Sequence, residues 1–75
     1  MKADRSLDCV GLFCPIPIVK ANLELEKMSP GEVLELLADD PGAENDFEAW
    51  CKSTGNEFVS IEKSGDVSKI YIRKK

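Results

Sequence analysis

Residues 7–17, with the sequence LDCVGLFCPIP, constrain the fold of this chain more than any other segment. Apolar and polar residues first alternate as in a short strand, Gly11 then marks a turn, and Cys14 is followed directly by a proline. Proline is well tolerated at the first position of a helix, because its missing N–H would have no partner within the helix. We therefore predict a strand, a turn and a helix start here, with Cys14 as the cap residue of the helix.

A cysteine at the start of a helix is predicted to be reactive. The first-turn amides and the positive end of the helix dipole stabilise a thiolate or a persulfide anion, and so lower the pKa of the Cys14 thiol. Pro15 and Pro17 carry no N–H, so the amide of Ile16 is expected to be the donor left for the sulfur. The chain has no histidine, which excludes Cys–His catalytic pairs and mixed Cys/His zinc sites. Cys9 is too far from Cys14 for a CxxC redox motif.

The chain is long enough for one small domain, which we place over residues 1–75 with residues 1–5 loose. A net charge of −4 argues against direct nucleic-acid binding, which needs a basic surface. No apolar run approaches the length of a membrane span and no apolar stretch follows the first residues, so a cytoplasmic protein is expected. The basic residues at the end are predicted to form a solvated strand terminus rather than a binding site: Arg73, Lys74 and Lys75.

Hydrophobic periodicity and turn signals predict four strands and two helices in the order βαβαββ. The predicted strands are 6–10, 32–38, 57–63 and 67–73, and the predicted helices are 15–28 and 43–54. The first two crossovers each carry a helix. We therefore expect a two-layer α/β sandwich in which both helices pack on one face of a four-stranded mixed sheet.

The first predicted helix carries two apolar stripes. The stripe expected to face the sheet consists of Ile18, Ala21, Leu25 and Met28. A second stripe, rotated away from the first, consists of Ile16, Val19 and Leu23. Two interpretations stay open, an unusually wide buried face or an exposed apolar rim near Cys14, formed by Ile16 and Val19, for a partner protein.

The second predicted helix has one buried face and clear end signals. The residues of that face are Ala43, Phe47, Trp50 and Cys51. Gly55 is placed to end the helix in a left-handed conformation. At the other end, Asp40 or its neighbour is expected to cap the helix with Pro41 in the first turn, which explains the acidic pair more simply than a metal site does.

Three groups of residues together resemble a known family. They are Asp8-x-x-Gly11-x-x-Cys14-Pro15-x-Pro17, then Asp39-Asp40-Pro41, and then Trp50-Cys51 with Thr54-Gly55-Asn56-Glu57. This pattern resembles the TusA/SirA-like sulfur carrier proteins over nearly the whole chain. Asn56 is a departure, because members often carry histidine there.

The resemblance implies that Cys14 accepts a persulfide from a sulfurtransferase or cysteine desulfurase and relays the sulfur to acceptor proteins. Such acceptors belong to tRNA thiolation, molybdenum cofactor metabolism or sulfur oxidation. Asp8, Gly11, Pro15 and Pro17 match the positions that shape the motif. No metal or cofactor beyond the covalent persulfide is expected, and neither is a nucleic-acid or membrane partner; a monomer is favoured.

The other two cysteines leave an alternative open. Cys51 and Cys9 are each expected to pack in the core, but both are possible accessory thiols. Cys9 could resolve a persulfide or form a disulfide with Cys14, and Cys51 could form a disulfide with Cys14. The alternative function is therefore a redox-responsive regulatory or interaction module that works through a Cys14 disulfide.

Overall fold

The computed structural model describes residues 3–13 and 16–75 of the chain. Cys14 and Pro15, with the helix start predicted at them, lie outside the described residues. The elements are β1 (Arg5–Asp8), α1 (Ile16–Glu26), β2 (Val33–Ala38), α2 (Ala43–Thr54), β3 (Glu57–Ser64) and β4 (Val67–Arg73). The predicted βαβαββ order is confirmed.

The four strands form one mixed sheet in the order β1-β2-β4-β3. β1 pairs with β2 in parallel, whereas β4 pairs antiparallel with both β2 and β3. One apolar row crosses all four strands and consists of Leu7, Leu36, Ile70 and Ile61. β2 lies between two neighbours and is mostly buried, as its run of aliphatic residues predicts.

Both helices cover the same face of the sheet, which confirms the predicted two-layer sandwich. The buried cluster draws on β2, β4, both helices and the residues just after β1 and α1. It consists of Cys9, Ala21, Leu25, Met28, Leu34, Leu36, Ala38, Ala43, Phe47, Cys51, Ile70 and Ile72. The opposite face is polar at its centre. There the carboxylate of Glu35 accepts hydrogen bonds from Tyr71 Oη at 3.2 Å and from Ser6 Oγ at 3.3 Å.

The two stripes of α1 have opposite environments. Ala21 and Leu25 are buried against the sheet, whereas Ile16, Val19 and Leu23 are all exposed. The interpretation that α1 has an unusually wide buried face is therefore wrong. Neither described helix is long and apolar enough to cross a membrane.

Hydrogen bonding to the sheet begins at Asp4, nearer the N-terminus than the sequence predicts. Asp4 N–H donates to the Val33 carbonyl at 2.9 Å, and Val33 N–H donates to Asp4 Oδ2 at 2.8 Å. This reciprocal pair extends the β1–β2 ladder, so the prediction that residues 1–5 are loose is wrong for Asp4 and Arg5. The acceptor that fixes Asp4 is far away along the chain, and composition alone does not reveal it.

The predicted C-terminal end of α2 agrees with the structure, whereas the predicted side-chain cap at its N-terminal end does not. Gly55 has φ +84°, and its N–H donates to the Cys51 carbonyl at 2.9 Å, which confirms the left-handed end. At the start, the cap residue is Gly42 and no side-chain cap hydrogen bond is formed. Asp40 instead accepts the Gly42 N–H at 3.0 Å, so it holds the turn before the helix rather than capping it.

The basic C-terminal residues contact both helices. Lys74 Nζ donates to the Leu25 carbonyl in the last turn of α1, and Lys75 Nζ donates to the Thr54 carbonyl at 3.3 Å at the end of α2. Cations at these positions satisfy terminal carbonyls and favour the negative end of each helix dipole. Arg73 is the exposed last residue of β4 and Lys75 is exposed as well, so the predicted solvated strand terminus is confirmed, with these helix contacts in addition.

The two leucines of α1 provide a matched test of the core. Leu25→Ala should lower the free energy of unfolding by about 2–5 kcal/mol, because it removes a buried side chain and leaves a cavity. Leu23→Ala should change it by less than about 0.5 kcal/mol, because that side chain is exposed. Urea unfolding followed by circular dichroism measures both. Equal losses in the two variants would contradict the assignment of the stripes.

Candidate functional site

The candidate site begins where β1 leaves the sheet. The segment that leads to Cys14, residues 9–13, is called the site loop below. Its first residue, Cys9, donates its N–H to the Leu37 carbonyl at 2.8 Å and so extends the pairing of β1 with β2. Because these two strands are parallel, the site loop emerges beside the end of β2 and the residues that follow it.

Hydrogen bonds fix the backbone of the site loop. Each amide from residue 9 to residue 12 donates one bond. The acceptors are, in order, Leu37 O at 2.8 Å, Asp8 Oδ1 at 3.0 Å, Asp39 Oδ1 at 2.9 Å and Cys9 O at 3.1 Å. Four consecutive amides of the site loop thus have hydrogen-bond partners, which restrain its backbone as far as Leu12.

Asp8 and Gly11, two of the predicted motif positions, have separate parts in this turn. Asp8 accepts the Val10 N–H two residues ahead, which is the geometry of an Asx turn. Gly11 has φ +85°, a left-handed conformation that other residues adopt only with strain. The predicted turn at Gly11 is thus confirmed, and the need for glycine is explained.

The start of α1 differs from the prediction in one hydrogen bond. The Ile16 N–H, expected to be the donor left for the Cys14 sulfur, donates to the Phe13 carbonyl at 2.9 Å. This bond joins the last described residue before Cys14 to the first described residue after Pro15. Pro17, the other motif proline, is buried in the first turn of α1.

An exposed apolar surface flanks Cys14 in the sequence. The exposed large hydrophobic side chains of the described residues are Val10, Phe13, Ile16, Val19 and Leu23, and we call this set the apolar rim. Each is between 44% and 72% exposed. Ile16 and Val19 were predicted for such a rim, whereas Val10 and Phe13 were missed, although Phe13 directly precedes Cys14. A surface of this kind is typical of a protein–protein contact.

Cys9 and Cys51 both lie in the core. Their exposed fractions are 0% and 2%, and burial raises the pKa of Cys51 to about 11. Burial also raises the pKa of Cys9, against a smaller opposing effect of the nearby Lys20 charge. Both side chains are free thiols. The packing interpretation of these two cysteines therefore gains support, and the accessory interpretation does not.

Asp39 belongs to the site although the sequence indicated only a helix cap for it and its neighbour. Its Oδ1 accepts the Gly11 N–H across a separation of 28 residues. The only available signal was its place directly after β2, in the Asp39-Asp40-Pro41 match. Over residues 3–13 and 16–75, no group of three or more Cys, Asp or Glu side chains is arranged to hold a metal ion.

Asn56 has a structural role. Its Nδ2 donates to Thr54 Oγ1 at 2.9 Å, and its Oδ1 accepts the Lys75 N–H at 3.0 Å. The side chain thus ties the end of α2 to the C-terminus.

Comparison with known proteins agrees with this architecture. The family described as Sulfurtransferase TusA matches residues 5–74. Sulfur carrier protein TusA of Allochromatium vinosum is 44% identical over 71 residues, which cover 95% of this chain and 93% of that protein. YrkI of Bacillus subtilis, named as a candidate sulfur carrier, is 42% identical over 99% of both chains.

A similar relative is much longer. YrkF of Bacillus subtilis, also named as a candidate sulfur carrier, is 46% identical over 74 residues. Those residues cover 99% of this chain but 40% of YrkF. The chain thus spans less than half the length of this relative.

A solved structure shares the fold. The SirA-like protein of Desulfitobacterium hafniense superposes with a TM-score of 0.80 at 24% sequence identity, covering 92% of this chain and 95% of that one. The sequence matches therefore define the class as sulfur carrier proteins, and the solved structure shows the same fold. The chain belongs to the TusA family.

Burial of Cys9 and Cys51 predicts slow alkylation of the folded protein. In a Cys14→Ser variant at pH 8, iodoacetamide should modify both at least about 100-fold more slowly than in the same variant unfolded in guanidinium. The Cys51 rate should rise about tenfold per pH unit toward pH 11, because the thiolate is the nucleophile. Peptide mass spectrometry measures each site. Comparable rates in the folded and unfolded protein would contradict the burial.

Proposed function

We propose that the protein is a sulfur carrier that accepts sulfane sulfur as a persulfide on Cys14 and relays it to another protein. The observation that carries this proposal is the burial of the two other cysteines. It leaves Cys14, in the Cys-Pro-x-Pro motif, as the cysteine that is not found in the core among the described residues. Membership of the TusA family supports the same role.

The transfer needs no oxidant, reductant or metal. The Cys14 thiolate attacks the terminal sulfur of a persulfide on the donor, a sulfurtransferase or cysteine desulfurase. A sulfur–sulfur bond forms at Cys14, the bond between the terminal sulfur and the donor cysteine breaks, and the donor leaves as a thiolate. Attack by an acceptor thiolate on the terminal sulfur then repeats the exchange and regenerates Cys14. Oxidation levels balance at each step, so the covalent persulfide is the only group carried.

The apolar rim supports a protein partner for each step. Apolar side chains on both sides of Cys14 in the sequence can bury against a donor or an acceptor while the thiol reaches its reaction partner. The acceptors proposed are proteins of tRNA thiolation, molybdenum cofactor metabolism or sulfur oxidation. We also propose that the protein acts as a monomer in the cytoplasm, where thiols are kept reduced.

The alternative of a Cys14 disulfide switch gains little from the site. Cys9 or Cys51 would first have to leave the core, and burial raises the pKa of both thiols and so lowers their reactivity. No observation of the described residues favours it over sulfur transfer.

Sulfur loading tests the proposal directly. The parent protein, incubated with a cysteine desulfurase and cysteine, should gain the mass of one sulfur atom, which dithiothreitol removes. Cys14→Ser should gain none, because it lacks the accepting thiol. Intact-protein mass spectrometry measures the gain.

Cys51→Ala is the matched control for loading, since it also removes one thiol. It should load like the parent protein if it stays folded, and circular dichroism checks that condition. Sulfur uptake by Cys14→Ser equal to that of the parent would overturn the proposal.

The apolar rim should contribute to donor binding. Leu23→Ser should weaken binding to the loading desulfurase about tenfold, because a partly buried leucine in an interface stabilises it by roughly 1–2 kcal/mol. Isothermal titration calorimetry measures the Kd. Asn22→Ser, on the same helix but outside the rim, should leave binding unchanged. A parental Kd in Leu23→Ser would show that Leu23 lies outside the interface.

A further inference from the structure

We propose that Asp39 is a positioning residue for Cys14, because its carboxylate holds the site loop at Gly11. The inference rests on the proposed function, in that Cys14 is taken as the reacting residue. It assigns to Asp39 a part in the rate of sulfur transfer that is separate from the turn before α2.

Asp39 is well placed to act as an anchor. It follows directly after Ala38, the fully buried last residue of β2, and β2 is hydrogen-bonded to strands on both sides. The backbone from which the Asp39 side chain extends is therefore held in place by β2. Its neighbour Asp40 serves a different loop, because Asp40 Oδ1 accepts the Gly42 N–H. The two adjacent carboxylates thus hold two different turns.

The Gly11 bond differs from the other bonds of the site loop. Of the four bonded amides, those of Val10 and Leu12 have acceptors within three residues along the chain, and that of Cys9 continues the strand ladder. Gly11 is the one bonded to a side chain of a different connection. Loss of the Asp39 acceptor therefore frees the outer part of the site loop while the local turn and the strand pairing persist.

The position of Gly11 makes this bond matter for Cys14. Gly11 lies three residues before Cys14, and the Phe13 carbonyl accepts the Ile16 N–H on the other side. The Gly11–Asp39 hydrogen bond attaches Gly11 to the residue that follows β2, and the Ile16–Phe13 hydrogen bond attaches Phe13 to the start of α1. A small displacement at a reacting group slows a reaction strongly, so loss of the Gly11–Asp39 hydrogen bond should slow sulfur transfer.

Charge offers a competing explanation that substitutions can separate. A carboxylate near a thiol opposes formation of the thiolate, so its charge alone would hinder the reaction. If the position of the acceptor oxygen is what matters, Asp39→Asn should behave like the parent, because it keeps an oxygen acceptor. Asp39→Glu should then differ from the parent, because it keeps the charge but displaces the acceptor. If charge is what matters, Asp39→Glu is the parent-like variant.

The experiment compares the full-length parent with Asp39→Ala, Asp39→Asn and Asp39→Glu. Asp66→Ala is the matched control, because Asp66, in the β3–β4 turn, and Asp39 both line one surface cleft. Three quantities are measured: hydrogen exchange of the Gly11 amide by NMR, the initial rate of sulfur uptake from a cysteine desulfurase with cysteine, and the rate of Cys14 alkylation by iodoacetamide against pH.

Asp39→Ala should speed Gly11 exchange and slow sulfur uptake, each by about tenfold or more, because a hydrogen bond to a charged acceptor is lost. Asp39→Glu should show the same changes in smaller measure. Asp39→Asn and Asp66→Ala should stay within about threefold of the parent. If Asp39→Ala does not fold, the order of the Asn and Glu variants still decides between position and charge.

Two results would overturn the positioning role: parental uptake in folded Asp39→Ala, or parental uptake in Asp39→Glu together with altered uptake in Asp39→Asn. If the parent itself takes up no sulfur, the proposed function fails instead. Asp39 is then judged by Gly11 exchange and by Cys14 alkylation, and parental values of both in Asp39→Ala overturn its role.

Discussion

The parallel pairing of β1 with β2 is the constraint on which the rest of the structure depends. Parallel neighbours need a crossover connection, and α1 is that crossover, so the pairing also decides where α1 lies. The pairing brings the ends of the two strands side by side. As a result, the loop after β1 meets the residues after β2, and a carboxylate at Asp39 can bond an amide at Gly11. The parallel pairing of β1 with β2 thus determines both the fold and the position of the site loop.

A second consequence concerns how α1 is used. One stripe of the helix closes the core, and the other leaves large apolar side chains exposed to water. A chain of 75 residues has little core to spare, since small folds bury a smaller fraction of their surface. Keeping Ile16, Val19 and Leu23 outside therefore forgoes stability, which is understandable if a partner covers them for part of the time.

The sequence reveals what depends on neighbours along the chain. The element order, the bounds of α2 and the left-handed end at Gly55 follow from local periodicity and turn residues, and all agree with the structure. The ordering of Asp4, the contacts of Lys74 and the bond from Gly11 to Asp39 depend on residues 28 or more positions away. Such contacts exist only after the sheet has formed, so a reading of local patterns cannot supply them. The motif therefore points to the candidate site, but the hydrogen bond from Gly11 to Asp39 cannot be predicted from it.

The fold buries two of the three cysteines. Alternation along β1 turns Leu7 and Cys9 to the core and Asp8 to solvent, and helical spacing in α2 turns Cys51 inward. Burial then raises the pKa of both inward thiols, which keeps them neutral and unreactive at neutral pH. The third cysteine lies in the motif between the site loop and α1, where neither alternation nor helical spacing assigns it to the core. Burial thus separates Cys9 and Cys51 from Cys14, which is what the proposed persulfide on Cys14 requires.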